Sequence, residues 1–282
     1  MLFNLQRGLR YTITEARFVS KKSLKQEKIM IYRLEDTSKV YGLFEDWEET
    51  LVYSCLQKVM GDVFVTDPDD PESAFAYVGC FAFYAGKPDK ELVMNKPEGF
   101  VIMTPQNEEW GKLIEECFPD CRKMIRFAIR KNTQFDVERL KKFAAQIPDG
   151  YELKKIDADV YDMCLADPVT RDFVSCFDTK EMYLKMGRGM VIVKDGRIVS
   201  GASSYTRYRE GIEIEVDTVP EERRKGLATA ACASLILQCL DEGLYPSWDA
   251  QNMNSVRLAE KLGYEFDHEY TVYEVSNDMR TH

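Results

Sequence analysis

The chain has 282 residues, 45% of them hydrophobic, 12% aromatic and 30% charged. That length suits two domains or one large one, and the composition excludes wholesale disorder, collagen-like repeats and coiled coils. No apolar run approaches the roughly 18 residues of a membrane-spanning helix, and a net charge of −10 opposes nonspecific binding to nucleic acid or an anionic membrane.

Residues 1–28 carry seven basic side chains against Glu15 and Glu27, so the remainder of the chain holds a net −15. Charges at positions 7, 10, 15 and 17 leave no apolar core for a secretory signal. The segment reads as a basic surface extension ahead of Met30, with an Arg-rich transit peptide as the alternative. The eight cysteines include no CxxC, and His268 and His282 are the only histidines. Reduced core thiols, no metal and a cytoplasmic location are therefore expected. Cys117 and Cys121, four apart, read as one helix face.

Residues 29–148 read as an N-terminal α/β domain. The pattern predicts a helix over Val40–Met60, a strand at Asp62–Thr66, β-rich runs at Ser73–Tyr84 and Gly99–Thr104, and helices at Glu108–Cys117 and Val137–Gln146. This stretch holds no glycine-rich phosphate loop and no recognisable nucleophile setting, so it reads as a structural or substrate-shaping half. Ile147-Pro148-Asp149-Gly150 breaks the last helix and marks the expected junction. Residues 149–282 then open on a strand, and Met190–Lys194 and Arg197–Ser204 flank an Asp195-Gly196 turn that favours a tight hairpin. Ile212–Val219 supplies a third antiparallel strand.

Period 2 then gives way to a basic turn and a long helix in VPEERRKGLATAACASLILQCLDEG. Gly226 and Ala228 remove bulk where backbone N–H groups at a helix N-terminus can approach an anion, and Arg223, Arg224 and Lys225 add charge. The spacing R-x-x-G-x-A is thus read as a diphosphate site, against the plainer alternative of an ordinary basic helix start. A short strand at Pro246–Ala250 follows, then N-x-x-S from Asn252 to Ser255. A helix that Asn254 can cap and Gly263 can end comes next, and a final strand, FDHEYTVYEV, closes the pattern.

On these motifs residues 151–282 resemble the GCN5-related N-acetyltransferase (GNAT) superfamily. Its acyl-CoA motif, Q/R-x-x-G-x-G/A, follows the fourth strand, and N-x-x-S/A with a helix closing on K-x-G-F/Y follows the fifth. The full length resembles two-domain bacterial members with an additional N-terminal α/β half. The resemblance implies an α/β (α+β) fold whose C-terminal part is a mixed, mostly antiparallel sheet flanked by helices, beside a smaller N-terminal domain. It implies an acyltransferase that moves an acetyl group from acetyl-CoA to a primary amine by direct attack in a ternary complex. Val219, Arg223, Arg224, Lys225, Gly226, Leu227, Ala228 and Thr229 would hold the pyrophosphate, Val216–Val219 would pair with the pantetheine arm, and Asn252 and Ser255 would touch the far side of the cosubstrate. Acyl-CoA would enter between Asp217–Val219 and Trp248–Ala250. Many members carry a tyrosine general acid where this chain has Ala259, so Tyr264, Tyr205 and Ser255 stay open as substitutes. That departure keeps a non-catalytic acyl-CoA-binding or regulatory module as the alternative function.

The strand Ile212–Asp217 places Glu213, Glu215 and Asp217 on one face at period 2. Crowded carboxylates can take a proton from an attacking ammonium; Glu215, central on the face, is the first choice. The alternative is a solvated edge face without a catalytic role. As a group they argue for a small cationic amine acceptor, with no nucleic-acid or membrane partner; a homodimer is compatible with the sequence.

Overall fold

The computed structural model describes residues 30–276. The basic extension at residues 1–28 lies outside the described residues. In chain order the first half contains β1 (Tyr32–Arg33), α1 (Thr50–Leu56), β2 (Asp62–Val65), β3 (Ser73–Val78), β4 (Phe81–Gly86), α2 (Lys90–Met94), β5 (Val101–Pro105), α3 (Glu108–Cys117), β6 (Arg122–Ile129) and α4 (Val137–Ala144). The second half contains β7 (Tyr151–Lys155), α5 (Ala158–Ala166), α6 (Asp172–Ser175), α7 (Lys180–Met186), β8 (Gly189–Lys194), β9 (Arg197–Tyr208) and β10 (Gly211–Thr218). It ends with α8 (Leu227–Asp241), β11 (Tyr245–Ser247), β12 (Asp249–Ala250), α9 (Met253–Leu262) and β13 (Phe266–Val275).

Two mostly antiparallel sheets flanked by helices result, as the fold class anticipates. The smaller runs β11-β10-β9-β8-β7; the larger runs β1-β2-β3-β4-β5-β13-β6-β12. The last two strands of the chain therefore leave the smaller sheet, and β13 inserts between β5 and β6. Packing also crosses the turn at residues 147–150. One core joins Leu34–Ala85 residues to Ile156–Ile198 residues, a second joins Ile129 and Leu140 to α8, and a third joins Phe75–Ile114 residues to Tyr273 and Val275.

Several elements differ from expectation for identifiable reasons. The helix expected over Val40–Met60 is a 3₁₀ segment, Thr37–Leu43, followed by the separate α1. Phe44 stacks on Trp47 at 6.2 Å and Trp47 meets Phe83 edge-on at 5.5 Å, which bends the chain between them. Glu49 then caps α1 by accepting from the Leu51 N–H. The run Ser73–Tyr84 is a hairpin turning at Gly79, whose φ of +60 and whose contact with Tyr205 both exclude a side chain. The single strand expected at Pro246–Ala250 divides between the two sheets. Asn252, not Asn254, caps α9: its side chain accepts from the N–H groups of Asn254 and Ser255, while Gly263 ends the helix at φ +112.

Candidate active site

The two faces of β10 have different neighbours. Ile212 and Ile214 join the core beneath α8, whereas Glu213, Glu215 and Asp217 face the elements α1 and α6. β9 carries the irregularity opposite them: Glu213 pairs with Thr206 and Ile214 with Ser204, leaving Tyr205 as the bulged residue.

A solvated edge does not describe this acidic face. Glu213 is only 4% exposed; Thr50 of α1 donates to its Oε2, while its Oε1 is buried without a hydrogen-bond partner. Glu215 Oε2 is likewise enclosed without a partner. Burial pushes the Glu215 carboxyl well above the usual carboxylate range, and the nearby negative charges of Asp172 and Asp217 push it further. Asp217 is more open, accepts from the Thr218 N–H at 2.7 Å and lies 3.6 Å from Arg223.

Two acids absent from the sequence reading join this face. Asp172 stands at the start of α6, which is anchored when Ser203, the strand partner of Glu215, donates to the Phe173 carbonyl at 2.6 Å. Glu49 is 7% exposed, and burial raises its carboxyl to about 7, with the Lys131 ammonium opposing that rise and Glu213 adding to it. Lys131 donates to the Trp248 carbonyl at 3.1 Å. Neither acid lies in a motif, and nothing local distinguishes Asp172 or Glu49 from the other acids of an acidic chain.

The turn after β10 is built around one buried acid. Glu222 accepts from Tyr151 at 2.5 Å, Lys194 at 2.9 Å and Lys225 at 2.7 Å, and these donors hold its carboxyl down to about 2. Lys225 is thereby directed at the turn's interior, and Arg223 folds back to donate to the Thr218 carbonyl at 2.9 Å. Arg224 and Gly226 take the left-handed conformation at φ +65 and +84. No N–H group from Arg224 to Thr229 has an acceptor among the described residues, and α8 carries no side-chain cap. The longest described helix thus presents free donors at its positive end, with open space at Gly226. Such an array fits a phosphate or diphosphate.

Between this turn and the acidic face, the sheet opens. Parallel pairing of β10 with β11 runs only from Gly211↔Tyr245 to Glu213↔Ser247, and two residues later β12 pairs with β6 in the other sheet. Trp248 is the buried pivot, its Nε1 donating to Ser255 Oγ at 3.0 Å. The edge of β10 from Ile214 to Thr218 is left without a strand on that side. Asn252 is occupied in capping and Ser255 in holding Trp248.

Of the hydroxyls considered in place of a tyrosine at Ala259, Tyr264 is locked in the core, donating to the Pro246 carbonyl at 2.6 Å. Tyr205 accepts from the Cys80 N–H at 2.9 Å and lies 3.4 Å from Cys80 Sγ. Cys80 and Cys176 are thiols that feel the charge of Glu215, while Cys232 and Cys239 lie on α8 in the core on the other side of the sheet. Burial raises Cys80 to about 11 and Cys239 to about 12. Among the described residues no group of three or more His, Cys, Asp or Glu side chains is arranged to hold a metal ion, and no helix is long and apolar enough to cross a membrane.

A sheet splayed beside an uncapped helix N-terminus is what the resemblance to the GNAT superfamily anticipates, and comparison with known proteins agrees. Residues 41–273 match the family model described as GNAT acetyltransferase, so the chain belongs to that family. A GCN5-related N-acetyltransferase-like protein from Streptococcus suis 89/1591 is 45% identical, with a TM-score of 0.81 over 85% of this chain and 98% of its own. The uncharacterised N-acetyltransferase YdfB of Bacillus subtilis is 26% identical, covering 85% of this chain and 97% of its own. A tandem GNAT protein from the clavulanic acid biosynthesis pathway, 11% identical with a TM-score of 0.53 over 88% of this chain and 98% of its own, shares the fold.

Proposed function

We propose that this acyltransferase is an N-acetyltransferase that moves the acetyl group of acetyl-CoA to a small cationic primary amine by direct attack in a ternary complex. The observation that carries the reading is the run of free N–H groups from Arg224 to Thr229 beside the open edge of β10. The pyrophosphate of acetyl-CoA lies on the Val219–Thr229 turn, and the pantetheine arm extends along Val216–Val219 where β11 has departed. Backbone N–H groups of β10 polarise the thioester carbonyl. In the free enzyme, burial and two neighbouring acids favour a proton on Glu215; an ammonium arriving beside it restores the carboxylate.

Glu215 then takes a proton from the ammonium, the freed amine forms the new C–N bond to the acetyl carbon, and the C–S bond breaks. A second proton passes from the amide nitrogen to the departing thiolate, giving the N-acetylated amine and CoA thiol with one proton released overall. Tyr264 is committed to the Pro246 carbonyl, whereas Tyr205 gives its proton to a weak sulfur acceptor, Cys80 Sγ, and is therefore the hydroxyl assigned to relay the second proton. The test is thiol release from acetyl-CoA across a panel of amines. Tight CoA binding with no release from any amine would support a non-catalytic acyl-CoA-binding module instead.

A further inference from the structure

Among the described residues, two carboxylate oxygens are buried with no hydrogen-bond partner, Glu213 Oε1 and Glu215 Oε2, and both belong to one face of β10. A donor removes the cost of burying a carboxylate oxygen, so these two, on neighbouring positions of one face, are each free to accept from one ammonium of a ligand with two donors. The hydroxyl of Thr206, directly across from Glu213, is also buried without a partner. Successive positions on one face of a strand lie about 6.8 Å apart. An extended chain of four or five carbons separates its terminal nitrogens by roughly 6–7.5 Å.

The approach to Glu213 suits a hydrocarbon chain carrying positive charge. A groove of about 510 Å³ is lined by Thr50, Tyr53, Lys131, Tyr208, Glu210 and Tyr245, and Glu213 lies one hydrogen bond behind Thr50. The Tyr53 and Tyr208 rings meet at 6.1 Å, giving an aromatic wall that favours methylenes and ammonium groups. Lys131, the cation in this lining, donates to the Trp248 carbonyl and is faced by Glu49, Glu213 and Asp249, so its charge is met from within the protein.

We propose that the acceptor is a linear diamine or polyamine whose reacting ammonium sits against Glu215 while a second ammonium, four or five carbons away, sits against Glu213. This rests on the acetyltransferase reading above and adds to it the length and second charge of the acceptor. The reacting nitrogen loses its charge on acetylation, so the product keeps the Glu213 contact and gives up the one at Glu215.

The test compares 1,4-diaminobutane, 1,5-diaminopentane, 1,8-diaminooctane and n-butylamine on the full-length enzyme, by calorimetric binding in the presence of CoA and by thiol release from acetyl-CoA. The two shorter diamines are expected to bind at least tenfold more tightly than n-butylamine and to exceed it at least tenfold in kcat/KM, with 1,8-diaminooctane falling behind them. Glu213→Gln is expected to shrink the diamine preference to under threefold. Equal binding and turnover of n-butylamine and the short diamines, or a preference that survives Glu213→Gln, would overturn the proposal while leaving acetyl transfer intact. Thiol release from no amine would instead defeat the acetyltransferase reading. The chain-length series needs no variant, so the inference is tested even if Glu213→Gln fails to fold.

Discussion

The hydroxyl of Thr50 donates to Glu213 Oε2, tying the first turn of α1 to β10 across 163 positions of sequence. Ser54, one turn further along α1, donates to the Arg207 carbonyl at 2.5 Å. The first half of the chain therefore forms one wall of the acidic face, and β13 in turn depends on β5 and β6 for both its neighbours. A fragment beginning at residue 149 would expose β13 and the α1-facing side of β9 and β10. It is expected to be insoluble or to lack cooperative unfolding; a soluble fragment that binds CoA with full-length affinity would show that the C-terminal half folds alone.

At the turn before α8, Gly226→Glu is expected to lower CoA affinity more than tenfold with the fold retained. The position is open, so bulk causes no collision, but φ of +84 disfavours a side chain and a carboxylate stands where the anion must sit. Arg223→Ala should cost less, since that guanidinium is engaged with the Thr218 carbonyl. Lys225→Ala should act mainly by releasing Glu222. Arg224→Ala is expected to weaken CoA most among the three basic residues, because its exposed side chain makes no hydrogen bond or ion pair within the described residues. Calorimetry on the four variants gives the order, and unchanged affinity in Gly226→Glu would put the site elsewhere.

Much of this turn is legible in the sequence because its requirements are local: a glycine able to take positive φ, small residues at a helix start, and a change from period 2 to helical composition. Asp195-Gly196 announced the β8–β9 hairpin in the same way, both residues having positive φ. Nothing comparable announces β6 or the place of β13, since their pairing, from Phe266↔Ile129 to Glu274↔Arg122, joins opposite halves of the chain and leaves no short-range signal. The acidic face of β10 was visible by its period, but its burial was not, because the covering residues Thr50 and Asp172 come from distant segments.

Acyl transfer is expected to proceed without an acyl-cysteine. The thiols near the acidic face are buried and held in the protonated form, Cys80 at about 11 and Cys176 also raised, so neither supplies an appreciable thiolate near neutral pH. Mass spectrometry of enzyme quenched during turnover should show no acetyl adduct on Cys80, Cys176, Cys232 or Cys239. A trapped adduct that forms and decays at the rate of turnover would replace direct attack with a two-step route.

If Glu215 is the base, kcat/KM should rise with pH through its ionisation, because only the carboxylate can take the ammonium proton. Glu215→Gln should lower kcat by about 100-fold or more. Asp172 raises the Glu215 pKa through its charge, so Asp172→Asn should move the acidic limb of the profile to lower pH. A limb that stays in place in Asp172→Asn, together with retained turnover in Glu215→Gln, would remove Glu215 from the mechanism.

Glu49 makes the cost of assembling this face measurable as stability. Its carboxyl is raised from 4.5 to about 7 in the folded protein, chiefly by burial. Between those values the folded chain holds a proton that the unfolded chain has released, so this group's contribution to stability falls as pH rises from about 4.5 to about 7 and is level above. The span corresponds to a loss of up to about 3 kcal/mol. Glu49→Gln keeps an oxygen to accept from the Leu51 N–H but cannot ionise, so its stability relative to the parent should increase between pH 5 and pH 8. Glu215, whose raised pKa acts in the same direction, is present in both proteins and largely cancels from the difference. Denaturant unfolding of the two proteins at both pH values decides the matter, and a stability difference that does not change with pH would show that Glu49 is ionised in the folded state across this range.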